Sequence, residues 1–90
     1  MIVLPYLAEL LGTFLLVLSV FASGGNAFVI GGTLALVILL AGKVSGAHVN
    51  PAVSLAMLLE GSMTALEFIT YLTTQMAGGA AAYYTYRSIM

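Results

Sequence analysis

The chain alternates long apolar runs with short polar breaks. Residues 3–23, VLPYLAELLGTFLLVLSVFAS, are apolar apart from Glu9 and scattered hydroxyls. At 1.5 Å per residue, a run of this length covers a hydrocarbon core of about 30 Å, so a membrane-crossing helix is expected. Pro5 falls in its first turn, where a missing N–H does no harm. Gly24-Gly25-Asn26 then marks a tight turn that sends the next run back antiparallel. That run, AFVIGGTLALVILLAGK at 27–43, is near the lower length limit for a crossing, and Lys43 can snorkel at its end.

The next stretch breaks the pattern. Within SGAHVNPAVS, residues 45–54, a His, an Asn and a Pro arrive within four positions. A proline pushes the residue before it out of the α region, so an irregular backbone is expected over 45–49. Asn50 is then placed as an N-cap and Pro51 as the first helical residue. The apolar segment that follows, PAVSLAMLLEG at 51–61, makes a helix of only about nine residues. Its length of roughly 13–14 Å is half a membrane. Gly61-Ser62 ends it, and Thr64 can cap a last run, ALEFITYLTTQMAGGAAAYYTY at 65–86. Tyr83, Tyr84 and Tyr86 form an aromatic belt at the end of that run, with Arg87 just beyond.

The expected architecture is an all-α membrane protein with a single membrane domain over residues 1–90. It has three transmembrane helices (about 3–23, 27–43 and 65–86) plus one re-entrant half-helix within about 44–60. Small residues recur at a spacing of four, in Ala8/Gly12, Ala77/Ala81 and Gly78/Ala82, where helix backbones can approach closely in lipid.

Composition sharpens this picture. The 90 residues are 62% hydrophobic and 6% charged, against roughly 25% charged in a soluble domain. A small soluble domain buries only about 60–65% of the surface its chain exposes, too little to hide so much apolar area. A multi-pass integral membrane protein is expected, with lipid as its partner. No Lys or Arg precedes the first run, which reads as a retained helix rather than a cleaved signal. The chain has no cysteine, one His and three carboxylates, Glu9, Glu60 and Glu67. That inventory points to no enzyme, no cofactor and no metal. Two cations, Lys43 and Arg87, make no basic surface for nucleic acid. Lys43, Glu60, Glu67 and Arg87 read as interfacial charges.

Irregular backbone at membrane depth is tolerated only where protein buries it or a water-filled cavity solvates it. A half-helix starting at Asn50 presents free N–H groups worth roughly half a positive charge, which repels cations. The carbonyls of Gly46, Ala47, His48 and Val49 lack helical partners and offer a ladder of acceptors leading to the Asn50 amide. Such a path suits a small neutral solute, water or a polyol. The alternative is an ordinary polar loop in water, with 51–59 lying at the interface.

SGAHVNPAVSLA resembles the first signature loop of the aquaporin/glycerol-facilitator (major intrinsic protein) family, with its NPA motif at Asn50, Pro51 and Ala52. AELLGTFLLVL at 8–18 resembles that family's first helix, with Glu9, Gly12 and Thr13, and TTQMAGGAAA at 73–82 its third, with Gln75. Together these cover essentially the whole chain in order. The resemblance implies that the Asn50 amide is the central pore donor. It also puts the His48 carbonyl in the pore, with Pro51 and Ala52 structural. Glu9 is then implied as a brace that accepts N–H groups of the re-entrant loop. Counting back without gaps from Asn50, Ile30 falls where the family places the second-helix residue of its selectivity filter. Water-selective members tend to have Phe there and some glycerol-conducting members Trp, so Ile departs from both.

The family fold is an inverted repeat of two such halves, and this chain holds one. It lacks a second NPA loop and the Arg that follows it in the family. Either a longer chain supplies the second half, or an antiparallel copy does, as a two-fold dimer. One cation per side leaves almost no positive-inside bias, as dual insertion requires. The implied function is a passive channel, or half of one, for water and small neutral solutes such as glycerol, excluding ions. A homo-oligomer is implied, a tetramer if the family assembly holds. The rival expectations are a dual-topology small-solute exporter with Glu9 as a coupled carboxylate, and a truncated, non-conducting membrane protein.

Overall fold

The structure is a computed structural model that describes residues 3–89. Residues 1, 2 and 90 of the expected domain lie outside the described residues. Four helices follow in order: α1 (Val3–Ala22), α2 (Ala27–Ser45), α3 (Pro51–Glu60) and α4 (Ala65–Ile89). No strand occurs among the described residues. α1 and α2 are each long and apolar enough to cross a membrane. α4 is the longest at 25 residues, but its Thr, Gln and Tyr residues dilute its apolar character.

Each break has a local cause. Gly24 and Gly25 take positive φ of 64° and 81°, and the Asn26 side chain accepts from Phe28 N and Val29 N to cap α2. α2 runs past Lys43 to Ser45, farther than the expected end, because its stop is Gly46. That residue adopts φ 85° and closes the last turn with its N–H on the Gly42 carbonyl. α3 begins as expected at Pro51 and is stopped by Gly61 at φ 90°. Thr64 and Glu67 start α4 with a reciprocal cap: Thr64 N donates to Glu67 Oε1 and Glu67 N to Thr64 Oγ1. α4 continues through Arg87 to Ile89, beyond the expected end at 86. The last turn holds no Gly or Pro to stop it.

α1 packs between α2 and α4, and α3 lies against α4. The molecule is 39 Å long and about 22 Å across. Its apolar core is small: Val37, Ala47 and Val49, with Leu16, Leu34 and Ala41 packed against them. The rest of the interior is polar or very small. α1 buries Glu9, Gly12 and Thr13, and α4 buries Tyr71, Gln75, Gly78 and Ala82. Large apolar side chains face outward instead, with Phe28 91%, Leu39 82% and Leu59 78% exposed. This is the distribution expected where lipid, no less apolar than Leu, gives no reason to hide hydrocarbon.

Gly78 is where α1 and α4 come closest. A Cβ there would land on the Leu10 carbonyl oxygen and 3.2 Å from Phe14 N. Of the small-residue pairs, Gly78/Ala82 lies in this seam, while Ala77 and Ala81 are exposed. A Cβ on Gly12 would sit 2.8 Å from Val49 Cγ1 and 2.9 Å from Val37 Cγ1. Gly78→Ala is therefore expected to push the two helices apart and destabilise the fold by about 1–3 kcal/mol. Gly79→Ala, whose Cβ would meet Val17 Cγ2 at an ordinary 3.8 Å, should be neutral or gain up to about 1 kcal/mol of helix propensity. Thermal unfolding of both variants in one detergent checks the contrast.

Candidate functional site

The five residues between α2 and α3, Gly46 to Asn50, form one non-helical turn. Its backbone is unusual: Ala47 and Val49 sit at φ 49° and 44°. Left-handed conformations in residues other than glycine cost about 1–3 kcal/mol each and persist only where the surroundings enforce them. Here the enforcing group is Glu9 on α1.

Glu9 is fully buried. Its Oε2 accepts from Ser45 Oγ at 2.7 Å and from His48 N at 3.0 Å. Its Oε1 accepts from Val49 N at 2.8 Å and from Gln75 Nε2 at 3.0 Å. Four donors thus meet the roughly four lone-pair positions that a carboxylate offers. Ser45 Oγ also accepts from Ala47 N at 3.1 Å. The left-handed twists at Ala47 and Val49 are what bring these N–H groups onto one side of the turn.

A second tier of contacts surrounds Glu9. Gln75 Nε2 also donates to Ser54 Oγ at 2.9 Å, and Ser54 Oγ lies 2.9 Å from His48 Nδ1. Ser54 is itself fully buried. The Tyr71 hydroxyl donates to the Ser45 carbonyl at 2.8 Å, and its ring lies 5.0 Å from that of His48.

With the N–H groups drawn to Glu9, no carbonyl of residues 46–49 accepts a hydrogen bond among the described residues. Asn50 is extended, at φ −161° and ψ 123°, and its Oδ1 accepts from Ala52 N at 2.8 Å. Its amide NH2 makes no hydrogen bond among the described residues. Ala47 and Val49 are buried, His48 and Pro51 half-buried, and Gly46, Asn50 and Ala52 exposed. Two open grooves meet at Val49 and Asn50. One is lined by Leu34 and Ile38 of α2 along with Ala47 and His48. The other is lined by Thr13 of α1 and by Gln75 and Met76 of α4.

The structure therefore brings together Glu9, residues 46–52 and α4. Ile30 is half-buried near the start of α2. It is not among the residues that line these two grooves, but it lies one helical turn, about 6 Å, from Leu34, which is. Ser45, Ser54 and Tyr71 also belong to the site, although the sequence reading did not single them out. For Tyr71 the signal is spacing: Tyr71, Gln75, Gly78 and Ala82 recur at intervals of four, three and four, one stripe of a helix.

A comparison with known families settles what such a chain is related to. The profile described as Major intrinsic protein matches residues 4–90. The chain is a member of the major intrinsic protein family. Among curated relatives, the Aquaglyceroporin AqpS of Rhizobium meliloti is 37% identical over 82% of this chain and 38% of its own length. The Glycerol uptake facilitator protein-like 6 of Lactiplantibacillus plantarum is 39% identical over 86% of this chain and 39% of its own. Aquaporin Z of Photorhabdus laumondii is 37% identical over 83% and 38%. This major intrinsic protein thus spans about two fifths of the length of the curated relatives it matches. No solved structure matches it significantly.

Glu9→Gln replaces one acceptor oxygen with an NH2 group aimed at donors. It is expected to destabilise the protein by about 1–3 kcal/mol for each donor left unpaired. Glu67→Gln keeps a capping side chain on an exposed turn and should stay within about 0.5 kcal/mol of the parent. Unfolding midpoints of the two variants, measured side by side, test the difference.

Proposed function

We propose that this chain is one half of a passive membrane channel for water and small neutral solutes such as glycerol, and that it excludes ions. In this reading α1, α2 and α4 cross the membrane, and α3 with residues 46–50 forms a re-entrant segment. The 39 Å length of the molecule suits a bilayer of about 40–45 Å including headgroups. The names of its relatives, aquaporin, aquaglyceroporin and glycerol uptake facilitator, point the same way and away from an enzyme.

One observation carries the reading. Residues 47–49 spend their N–H groups inward on Glu9 and Ser45, and the carbonyls of 46–49 keep their lone pairs for something else. A row of free acceptors ending at an exposed amide donor fits a solute that both gives and takes hydrogen bonds. A cation arriving there meets the positive end of α3. The residues assigned to the path are Gly46, Ala47, His48, Val49 and Asn50, with Pro51 and Ala52 fixing the start of α3. Glu9 braces the turn, and Ile30 contributes to a filter elsewhere on the path. The four hydrogen bonds on Glu9 speak against the exporter alternative, which needs that carboxylate for its substrate.

A single half does not enclose a pore, so a second half completes it, from a longer chain or from an antiparallel copy. The assembled channel is a homo-oligomer, a tetramer on the family pattern. No cofactor takes part.

Asn50→Asp tests the path directly in proteoliposomes. It keeps an oxygen to cap α3 but exchanges the amide donor for negative charge. A donor worth about 1–1.4 kcal/mol at the barrier corresponds to roughly five- to tenfold slower osmotic flux, together with a measurable cation leak. Unchanged flux and unchanged ion exclusion would remove Asn50 from the path.

A further inference from the structure

Two buried polar atoms have no hydrogen-bond partner among the described residues: Thr13 Oγ1 and Gln75 Oε1. Thr13 is 5% exposed and Gln75 2%. Turning the Gln75 amide over does not repair this. Its Nε2 donates to Glu9 Oε1 and Ser54 Oγ, and the reversed group would set a carbonyl oxygen against a carboxylate. Gln75 Oε1 therefore requires a donor from elsewhere. Buried polar atoms are nearly always paired, with protein or with ordered water.

Thr13 of α1 and Gln75 of α4 both contribute to the lining of one groove, to which Asn50 and Pro51 at the start of α3 contribute as well. We propose that Thr13 and Gln75 hold one neutral hydroxyl group beside Asn50, belonging either to a water molecule or to the end of a small alcohol. A hydroxyl donates to Gln75 Oε1 and accepts from the Thr13 hydroxyl at once. A carbonyl compound has no proton for Gln75. An anion would face the Gln75 oxygen, and a cation the positive end of α3. A buried water needs two to four polar partners, and Thr13, Gln75 and the Asn50 amide supply three.

This site goes beyond the channel reading and does not rest on it, because a fixed hydroxyl can be held whether or not solute passes. It also has a consequence for Glu9. A donor on Oε1 polarises the Gln75 amide, and this strengthens the hydrogen bond that Nε2 gives to the carboxylate. Thr13 is thus a positioning residue for the loop, acting through Gln75.

The test is a structure of the whole natural protein, purified without polyols, at a resolution that places single waters. Thr13→Val and Thr13→Ser are solved alongside it. The expected result is one isolated oxygen within hydrogen-bond distance of both Oγ1 and Oε1, present in the parent and in Thr13→Ser and lost in Thr13→Val. If Thr13→Val does not fold, the parent and the serine variant decide. Adding ethylene glycol separates the two sources. An unchanged peak identifies water, and connected density running on from the hydroxyl identifies an alcohol site. A protein N–H or O–H seated on Gln75 Oε1 in the parent overturns the proposal. So does a dry groove with the Thr13 hydroxyl turned onto its own helix.

Discussion

A single buried carboxylate sets the terms for the rest of this chain. Glu9 lies in the first helix, away from water, and among the described residues it has no cationic partner. A charge in such a place survives only where hydrogen bonds replace its hydration. The four donors come from the end of α2, from the turn and from α4, so satisfying the carboxylate gathers three segments around α1. The left-handed backbone at Ala47 and Val49 is a result of that demand. Without an acceptor at Glu9, nothing would hold two residues with side chains in conformations that glycine prefers.

The interior is accordingly inverted relative to a soluble bundle. Polar and small residues face inward, and the apolar bulk faces out. Close approach replaces hydrophobic burial as the source of cohesion, which is why Gly12 and Gly78 sit at the tightest contacts. Each helix then needs only a narrow inward stripe, and the rest of its surface is free to be hydrocarbon.

Much of this was legible in the sequence because it is local. Asn50 as a cap, Pro51 as a first helical residue, the turn at Gly24-Gly25-Asn26 and the Gly61 that ends α3 act within a few residues of themselves. The apolar runs marked α1 and α2 for the same reason. The ends of α2 and α4 were harder, since Lys43 and Tyr86 look like boundaries but do not interrupt a helix. Ser45 and Ser54 were not legible. A lone hydroxyl in an apolar helix usually bonds its own backbone, as Ser19, Thr33 and Thr73 do here, and only the tertiary arrangement brings Ser45 to Glu9 and Ser54 to His48. Glu9 itself stood out as an expensive residue, but its role came from the family resemblance, because its partners lie far along the chain. Which of two adjacent small-residue pairs on α4 faces α1 likewise depended on Gln75 fixing the rotation of the helix.

The span of the Glu9 contacts also sets an order of assembly. Ser45 donates across 36 residues, Val49 across 40 and Gln75 across 66. A ribosome delivers α1 well before α4, so the carboxylate is made before its most distant donor exists. α1 and α2 can pair as a hairpin early, but the turn at 46–50 cannot settle until α4 arrives beside it. The seam between α1 and α4 therefore completes this site, and until it forms Glu9 lacks part of the hydrogen bonding that replaces its hydration.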